Sequence, residues 1–393
     1  MKMKNKNILI FTYFGIDKPG GVQSIIKNIT NNVSDINFRI FALGDKKFKK
    51  TTQKGVKSFT SPLLKRGKKV KEKEVKKLLQ KVYSEFKPDI VHCHNASYMF
   101  DPDLIQIFFN FFKEKGIPLI EHAHHANIRR KDIVEKSINL EWDKIIVVSE
   151  FAYNRIAPIV KDTDKIEIVP NCVDRDIFQP KTSEKKKNWK EKLKIEKKFV
   201  FAFPSRTIRI STGEIGEQKQ FKTVLKALSS LKKQGFDDFC LLVTSLGDYH
   251  EKKDVKKDFK KIIKKFNLLD NLKIFPEKLN QKEMHKFYTP ADIILFPSLR
   301  ESFGLITLEG MAMGIPVIGA RSGGIKGIIE NKEDGILVEP KDYKDLANKI
   351  KLLTENQKLY KKIVENGLQK VESYCSRKYV KTIKSLWEEV IKK

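Results

Sequence analysis

Cysteine is scarce and scattered in this sequence. The 393-residue chain has four, Cys93, Cys172, Cys240 and Cys375, and no Cys-x-x-Cys pair. That argues against a disulfide scaffold or a thiolate zinc site and makes a reducing compartment the default. Long apolar runs are missing too. Ile8 to Phe11 is too short for a signal-peptide core or a membrane span, and Leu104 to Phe112 is broken by Gln106 and Asn110. The expectation is a cytoplasmic protein, at most peripheral on the inner face of the cell membrane. Gly-Lys-Ser/Thr and Gly-x-Gly-x-x-Gly phrases are absent, which disfavours kinase and dehydrogenase chemistry. No helix-turn-helix, RNP or zinc-finger phrase occurs, so nucleic acid is not an expected partner.

What is abundant is positive charge. Lys and Arg number 79 against 49 Asp and Glu, a net +30. Such a field favours polyanions, acidic lipid or phosphate-bearing substrates. Lysine-rich coding bias with solvated helix faces, as in Lys68 to Lys77, is the competing explanation, and an anionic membrane surface is the functional one. With 40% hydrophobic and 10% aromatic residues the chain can bury a substantial core, and its length suits two domains of roughly 150 residues each.

Short apolar runs alternate with amphipathic stretches. Asn7 to Thr12, Phe38 to Leu43, Pro88 to Cys93, Gly116 to Glu121, Lys144 to Ser149 and Lys165 to Pro170 read as strands. Helical spacing occupies the segment after Gly20-Gly21, Val70 to Phe86, and Leu104 to Lys115. The polar, Lys-dense stretch 181–198, which holds one short helical pattern, reads as an inter-domain connection. The alternation then restarts with Phe199 to Phe203, Phe239 to Thr244, Asp292 to Pro297 and Pro316 to Ala320 as strands. This predicts an α/β chain of two Rossmann-like parallel-sheet domains facing a cleft, over 1–180 and 199–370. Residues 371–393 are expected to form a C-terminal helix packing back toward the first domain. Ligands on such sheets sit outside the carboxyl ends of the strands.

The richest phrase runs from Pro297 to Gly319, followed by Ser322-Gly-Gly324. A strand ends at Pro297, Glu301 sits in the loop, and a helix is expected to start near Ser302 or Phe303. Its first amides, near Gly304 and Leu305, make an anion site through unpaired N–H groups and the helix dipole. Glu309 follows two turns on. A diphosphate at the helix tip would have a carboxylate toward each end, which suits a nucleotide-sugar with ribose on one side and hexose on the other. Gly323-Gly324 reads as a second close-approach turn.

This phrase resembles the Glu-x7-Glu signature of the family 4 retaining glycosyltransferases of the GT-B fold. Other phrases fall in that family's order: Gly20-Gly21-Val22, Pro88-Asp-Ile-Val-His-Cys-His94, Val169-Pro-Asn-Cys-Val-Asp174 with Phe178 and Pro180, and Gly335 to Asp342. Cys172 stands where the family has Gly. The resemblance spans essentially the whole chain. It implies transfer of a sugar, UDP-linked by preference, from a nucleotide diphosphate to a hydroxyl of a glycan or lipid-linked acceptor, with retention and without metal or other cofactor. Assembly of cell-surface polysaccharide is the expected setting. The implied donor site is Gly20, Gly21, Arg206, Lys219, Glu301, Ser302, Phe303, Gly304, Leu305 and Glu309. His124, Glu301, Arg206 and Lys219 are the implied catalytic groups. Arg206 and Lys219 are spaced more widely than the family pattern because Ile208 to Gln218 looks inserted, and Arg209 is a possible substitute for Lys219.

Glu121-His-Ala-His-His125 is rich in metal-binding side chains, but neighbours on one loop rarely converge on an ion without distant partners, so no metal is expected. The resemblance points to His124 at the donor sugar, with His122 and His125 as neighbours to test. His92 and His94 read equally as structural residues or as acceptor contacts. The nearest rival function is a sugar-nucleotide epimerase on the same fold, which lacks the phrase from Pro297 to Gly324.

Overall fold

A computed structural model describes residues 3–18, 20–42, 49–53, 56–61, 71–126, 128, 130–205, 218–244, 253–276 and 279–392. Two compact units emerge. The first comprises Met1–Cys172 with Ser376–Lys393, the second Val173–Cys375.

The first unit is built on an eight-stranded sheet. Its strands are β1 (Asn7–Thr12), β2 (Asn37–Ala42), β3 (Lys49–Gln53), β4 (Val56–Thr60), β5 (Ile90–His94), β6 (Leu119–Ala123), β7 (Lys144–Val147) and β8 (Ile166–Ile168). The order is β3-β4-β2-β1-β5-β6-β7-β8, and only β3 runs antiparallel. The central strands are near-continuous apolar runs because helices cover both faces of a parallel sheet. In β1 the last five residues are buried. Phe11 anchors this core, its ring 4.0 Å from Phe108 and 4.9 Å from Phe100.

Three helices of this unit matter below: α1 (Gly21–Asn31), α2 (Glu72–Phe86) and α3 (Ala96–Met99). The C-terminal helix, Ser376–Lys392, also packs in this unit. It buries Tyr379, Val380, Ile383, Leu386, Trp387 and Val390 along one stripe. Ion pairs Lys384–Asp35 at 2.9 Å and Lys144–Glu389 at 3.0 Å flank that stripe.

The second unit has six parallel strands: β9 (Phe199–Phe203), β10 (Phe239–Val243), β11 (Leu272–Ile274), β12 (Ile293–Phe296), β13 (Val317–Ala320) and β14 (Ile336–Val338), ordered β11-β10-β9-β12-β13-β14. Helix Phe221–Lys233 buries Phe221, Val224, Leu225, Leu228 and Leu231 against Phe201, Phe239 and Ile293. Each such side chain contributes about 1.5–3 kcal/mol by leaving water.

Three boundaries differ from the sequence-based expectation. The first unit ends at Cys172, not at 180. Val173 donates its N–H to Tyr374 O, Phe178 packs on Tyr288 and Pro180 lies beside Gly314, so 173–180 is held within the second unit. Stretch 181–198 is not a free connection. Its expected short helical pattern is helix Ser183–Lys192, which is tied into the second unit by Lys190 to Asp292 at 3.3 Å and Trp189 against Phe275 at 5.4 Å. Strands β3 and β4 lie in a segment where no strand was expected.

Each sheet reverses its winding once, between β1 and β5 in the first unit and between β9 and β12 in the second. Loops at the carboxyl ends diverge there and leave a crevice. Gly20 follows β1 and the Glu301 loop follows β12, at these two points.

Candidate functional site

In the second unit the loop after β12 meets the segment that re-enters after β9. Leu299 N donates to Gln218 O at 2.8 Å, and Gln218 Nε2 donates back to Arg300 O at 2.8 Å. This brings Lys219 to Glu301 across 82 positions. The ammonium forms an ion pair with Glu301 Oε1, which also accepts from the Ser298 hydroxyl at 2.7 Å. Arg206, Arg209 and most of the inserted stretch, 206–217, lie outside the described residues.

The helix after this loop starts at Leu305, two residues later than expected, and runs to Ala312. Gly304 takes its N-cap position at φ +112°, a backbone geometry that favours glycine, and no side chain caps the amides that follow. A cationic amine, a carboxylate and uncapped amides are therefore juxtaposed, the combination an anionic sugar phosphate requires. Ser302 is half-buried and Phe303 buried. Ser205 Oγ and Thr307 Oγ1, both buried, find no hydrogen-bond partner among the described residues.

Gly323 and Gly324 form a close-approach turn against the Glu301 loop. A Cβ on Gly323 would lie 2.5 Å from Glu301 O, and one on Gly324 would lie 2.5 Å from Phe303 O. Gly324 N donates to Glu301 O at 2.7 Å. These glycines approach the Glu301 loop closely and hold its main chain in place. Glu309 is only 4% exposed, and Tyr288 donates its hydroxyl to Glu309 Oε2 at 2.7 Å. Neither Tyr288 nor Ser298 carries a motif signal. Their roles depend on folding, although the Tyr288 hydroxyl stands 21 positions from its partner.

In the first unit Gly20 precedes α1 at the reversal, with extended backbone (φ 164°), and Gly21 opens the helix. The histidines alternate along β5 and β6, so His92, His94, His122 and His124 share one face. His94 sits opposite His122 in register. Ring centroids are 4.5 Å apart for His92–His94, 5.1 Å for His94–His122 and 4.0 Å for His122–His124. His94 Nδ1 and His124 Nε2 share a hydrogen bond of 2.8 Å, while His124 N donates to Asn95 Oδ1 at 2.7 Å. One ring nitrogen of His124 is thus committed to His94. His125 is exposed.

Nitrogens of His92, His94 and His122 lie within 4.8 Å of one another, close enough to raise the question of a metal ion. The donor chemistry fits one poorly. Trp387 Nε1 donates to His92 Nδ1 at 3.3 Å. An indole nitrogen only donates, so the proton of neutral His92 sits on Nε2 and offers no lone pair there. A tetrahedral ion would also draw the nitrogens to roughly 3.4 Å. The group is a buried stack of neutral imidazoles. Burial pulls His92 down to about 3 and, with neighbouring imidazoles, holds His94, His122 and His124 well below their usual range. On the opposite face, burial pushes Glu121 up to about 8, against the opposing pull of the Ser97 amide at 3.2 Å.

No described helix is long and apolar enough to cross a membrane. The family model for glycosyl transferases group 1 matches residues 191–370, and that for glycosyltransferase family 4 matches 19–177. Among curated relatives, an N-acetyl-alpha-D-glucosaminyl L-malate synthase of Bacillus anthracis is 26% identical over 64% of this chain. That match spans 60% of the relative's own length. An uncharacterized glycosyltransferase of Methanocaldococcus jannaschii is 24% identical over 94% of this chain and 95% of its own. The fold superposes on Anabaena HepE, solved with UDP and glucose, with a TM-score of 0.76 at 17% identity, covering 97% of this chain and 99% of that one. Two parallel-sheet units, a Glu-x7-Glu loop and helix, and consecutive matches to both family models lead to one assignment: the chain belongs to the family 4 glycosyltransferases of the GT-B fold.

Proposed function

We propose that this glycosyltransferase moves a sugar from a UDP-sugar to a hydroxyl of a glycan or lipid-linked acceptor, with retention and without a metal ion, in cell-surface polysaccharide assembly. The observation that carries the reading is the Lys219–Glu301 pair beside the uncapped amides at Leu305. The Anabaena neighbour's UDP supports the nucleotide. In this reading the diphosphate displaces Lys219 from Glu301. The ammonium and the helix amides then stabilise the charge that develops on the leaving phosphate. Glu301, released, accepts hydrogen bonds from sugar hydroxyls, and Glu309 serves the ribose.

Retention follows from attack on the face the leaving group vacates. The acceptor oxygen bonds the anomeric carbon as the phosphate oxygen departs and takes the acceptor proton. A covalent glycosyl adduct on Glu301, found by mass spectrometry, would replace that step with a double displacement. Thermal stabilisation across a panel of nucleotide-sugars tests the donor. If none raises the melting temperature, the donor site is wrongly placed. Product NMR tests the stereochemistry, and turnover that is lost on chelation and restored by magnesium would refute metal independence.

A further inference from the structure

The exposed edge of the second sheet combines exposed cations with unusual apolar exposure. Helix Lys253–Lys265 buries Phe259 and Ile263 in the core. Lys257, Lys260, Lys261, Lys264 and Lys265 are all exposed, and their spacing puts them on one stripe opposite that buried face. None forms an ion pair with a described residue. Elsewhere helical lysines do, as in Lys76–Glu72, Lys349–Asp345 and Lys351–Glu355. After Asp258 no acid occurs until Asp270.

The chain then exposes two large apolar side chains, Leu269 at 47% and Ile274 at 39%, the latter on edge strand β11. Helix Ser183–Lys192 packs on the same edge through Trp189 and Phe275. It adds exposed Lys185 and Lys192.

We propose that this edge, formed by the Lys257–Lys265 stripe with Leu269 and Ile274, docks on an anionic lipid bilayer. Cations there meet acidic headgroups while the two apolar side chains enter the interfacial layer. Nucleic acid would reward the cations but not exposed aliphatic groups, and no exposed aromatic platform for bases lies among the described residues of this edge. The inference is independent of the transfer chemistry.

Co-sedimentation of the full chain with phosphatidylcholine vesicles, with and without phosphatidylglycerol, tests it in the absence of any donor. Wild type should pellet with the anionic vesicles and be released by salt. Reversal of Lys260, Lys261, Lys264 and Lys265 to Glu should weaken partitioning by about 600-fold or more, at about fivefold per cation. Leu269→Ser with Ile274→Ser should weaken it about tenfold with charge unchanged. Both variants should keep wild-type melting and the wild-type response to nucleotide-sugar, which separates a docking defect from unfolding and from failure of the transferase reading. Equal pelleting on neutral and anionic vesicles, or wild-type partitioning by the charge-reversal variant, would overturn the proposal. An unaffected serine variant together with tight duplex-DNA binding would overturn the bilayer as occupant.

Discussion

The Tyr288 hydroxyl donates to Glu309 Oε2 at 2.7 Å, and both side chains are buried in the second unit. One carboxylate oxygen is therefore held in a fixed direction, and burial with the neighbouring carboxylate raises the tyrosine well above its usual range. Tyr288→Phe removes the donor and keeps the ring. Stability should fall by about 1–3 kcal/mol, because a buried acceptor loses a partner. Under the proposed function the donor KM should rise more than kcat falls. Urea unfolding and donor titration check both, and an unchanged KM would detach Glu309 from nucleotide binding.

Lys219→Met and Glu301→Gln break the same ion pair, yet their costs should fall on catalysis rather than folding. The pair is partly solvated, so its stabilising contribution is within about 1 kcal/mol. Loss of a cation at a developing phosphate charge should lower kcat about 100-fold or more. Near-wild-type turnover by Lys219→Met, measured as nucleotide release, would contradict the assignment.

Gly323→Ala should be far worse than Gly116→Ala. Both have positive φ, +58° and +67°, so both acquire backbone strain of about 1 kcal/mol or more. Only at Gly323 does the new Cβ strike a carbonyl, at Glu301, whereas Gly116 has open space. A melting-temperature comparison should show the larger loss at 323, accompanied by loss of donor-induced stabilisation. Equal losses would mean the Glu301 loop is not held by this contact.

Stability of the first unit should peak near neutral pH. The unfolded histidines take up protons as pH falls through about 6.5, while the buried stack resists until much lower pH. Folding is thus penalised on the acid side, by up to about 1.4 kcal/mol per pH unit for each histidine. Glu121 acts oppositely. It stays protonated when folded up to about 8, so its penalty grows as pH rises from the carboxylate range to that point. Chemical denaturation from pH 5 to 8.5 should give a dome, and His122→Leu should flatten its acid limb. An acid limb as steep as wild type in that variant would refute the neutral stack.

The central strands were legible because parallel sheets demand apolar runs, and Asn7–Thr12 and Phe199–Phe203 are such runs. Strands Lys49–Gln53 (Lys-Lys-Thr-Thr-Gln) and Val56–Thr60 (Val-Lys-Ser-Phe-Thr) contain no apolar run to mark them, and the first lies at the sheet's edge. Helix Ser183–Lys192 was legible as a short helical pattern, but it buries none of its residues fully, so its anchoring through Lys190 and Trp189 was not. The Glu301 loop was visible as an ordered phrase. The partnership of Gly323 with the carbonyl of Glu301 was not, since it exists only once two strand ends are brought side by side.

That contact has a practical consequence. The loop from Leu299 to Phe303 is fastened by its carbonyls and amides, to Gln218, Ser322 and Gly324. Side chains at 299 and 300 can therefore be exchanged without unfastening it, making them the natural positions to randomise when a variant with altered sugar preference is sought.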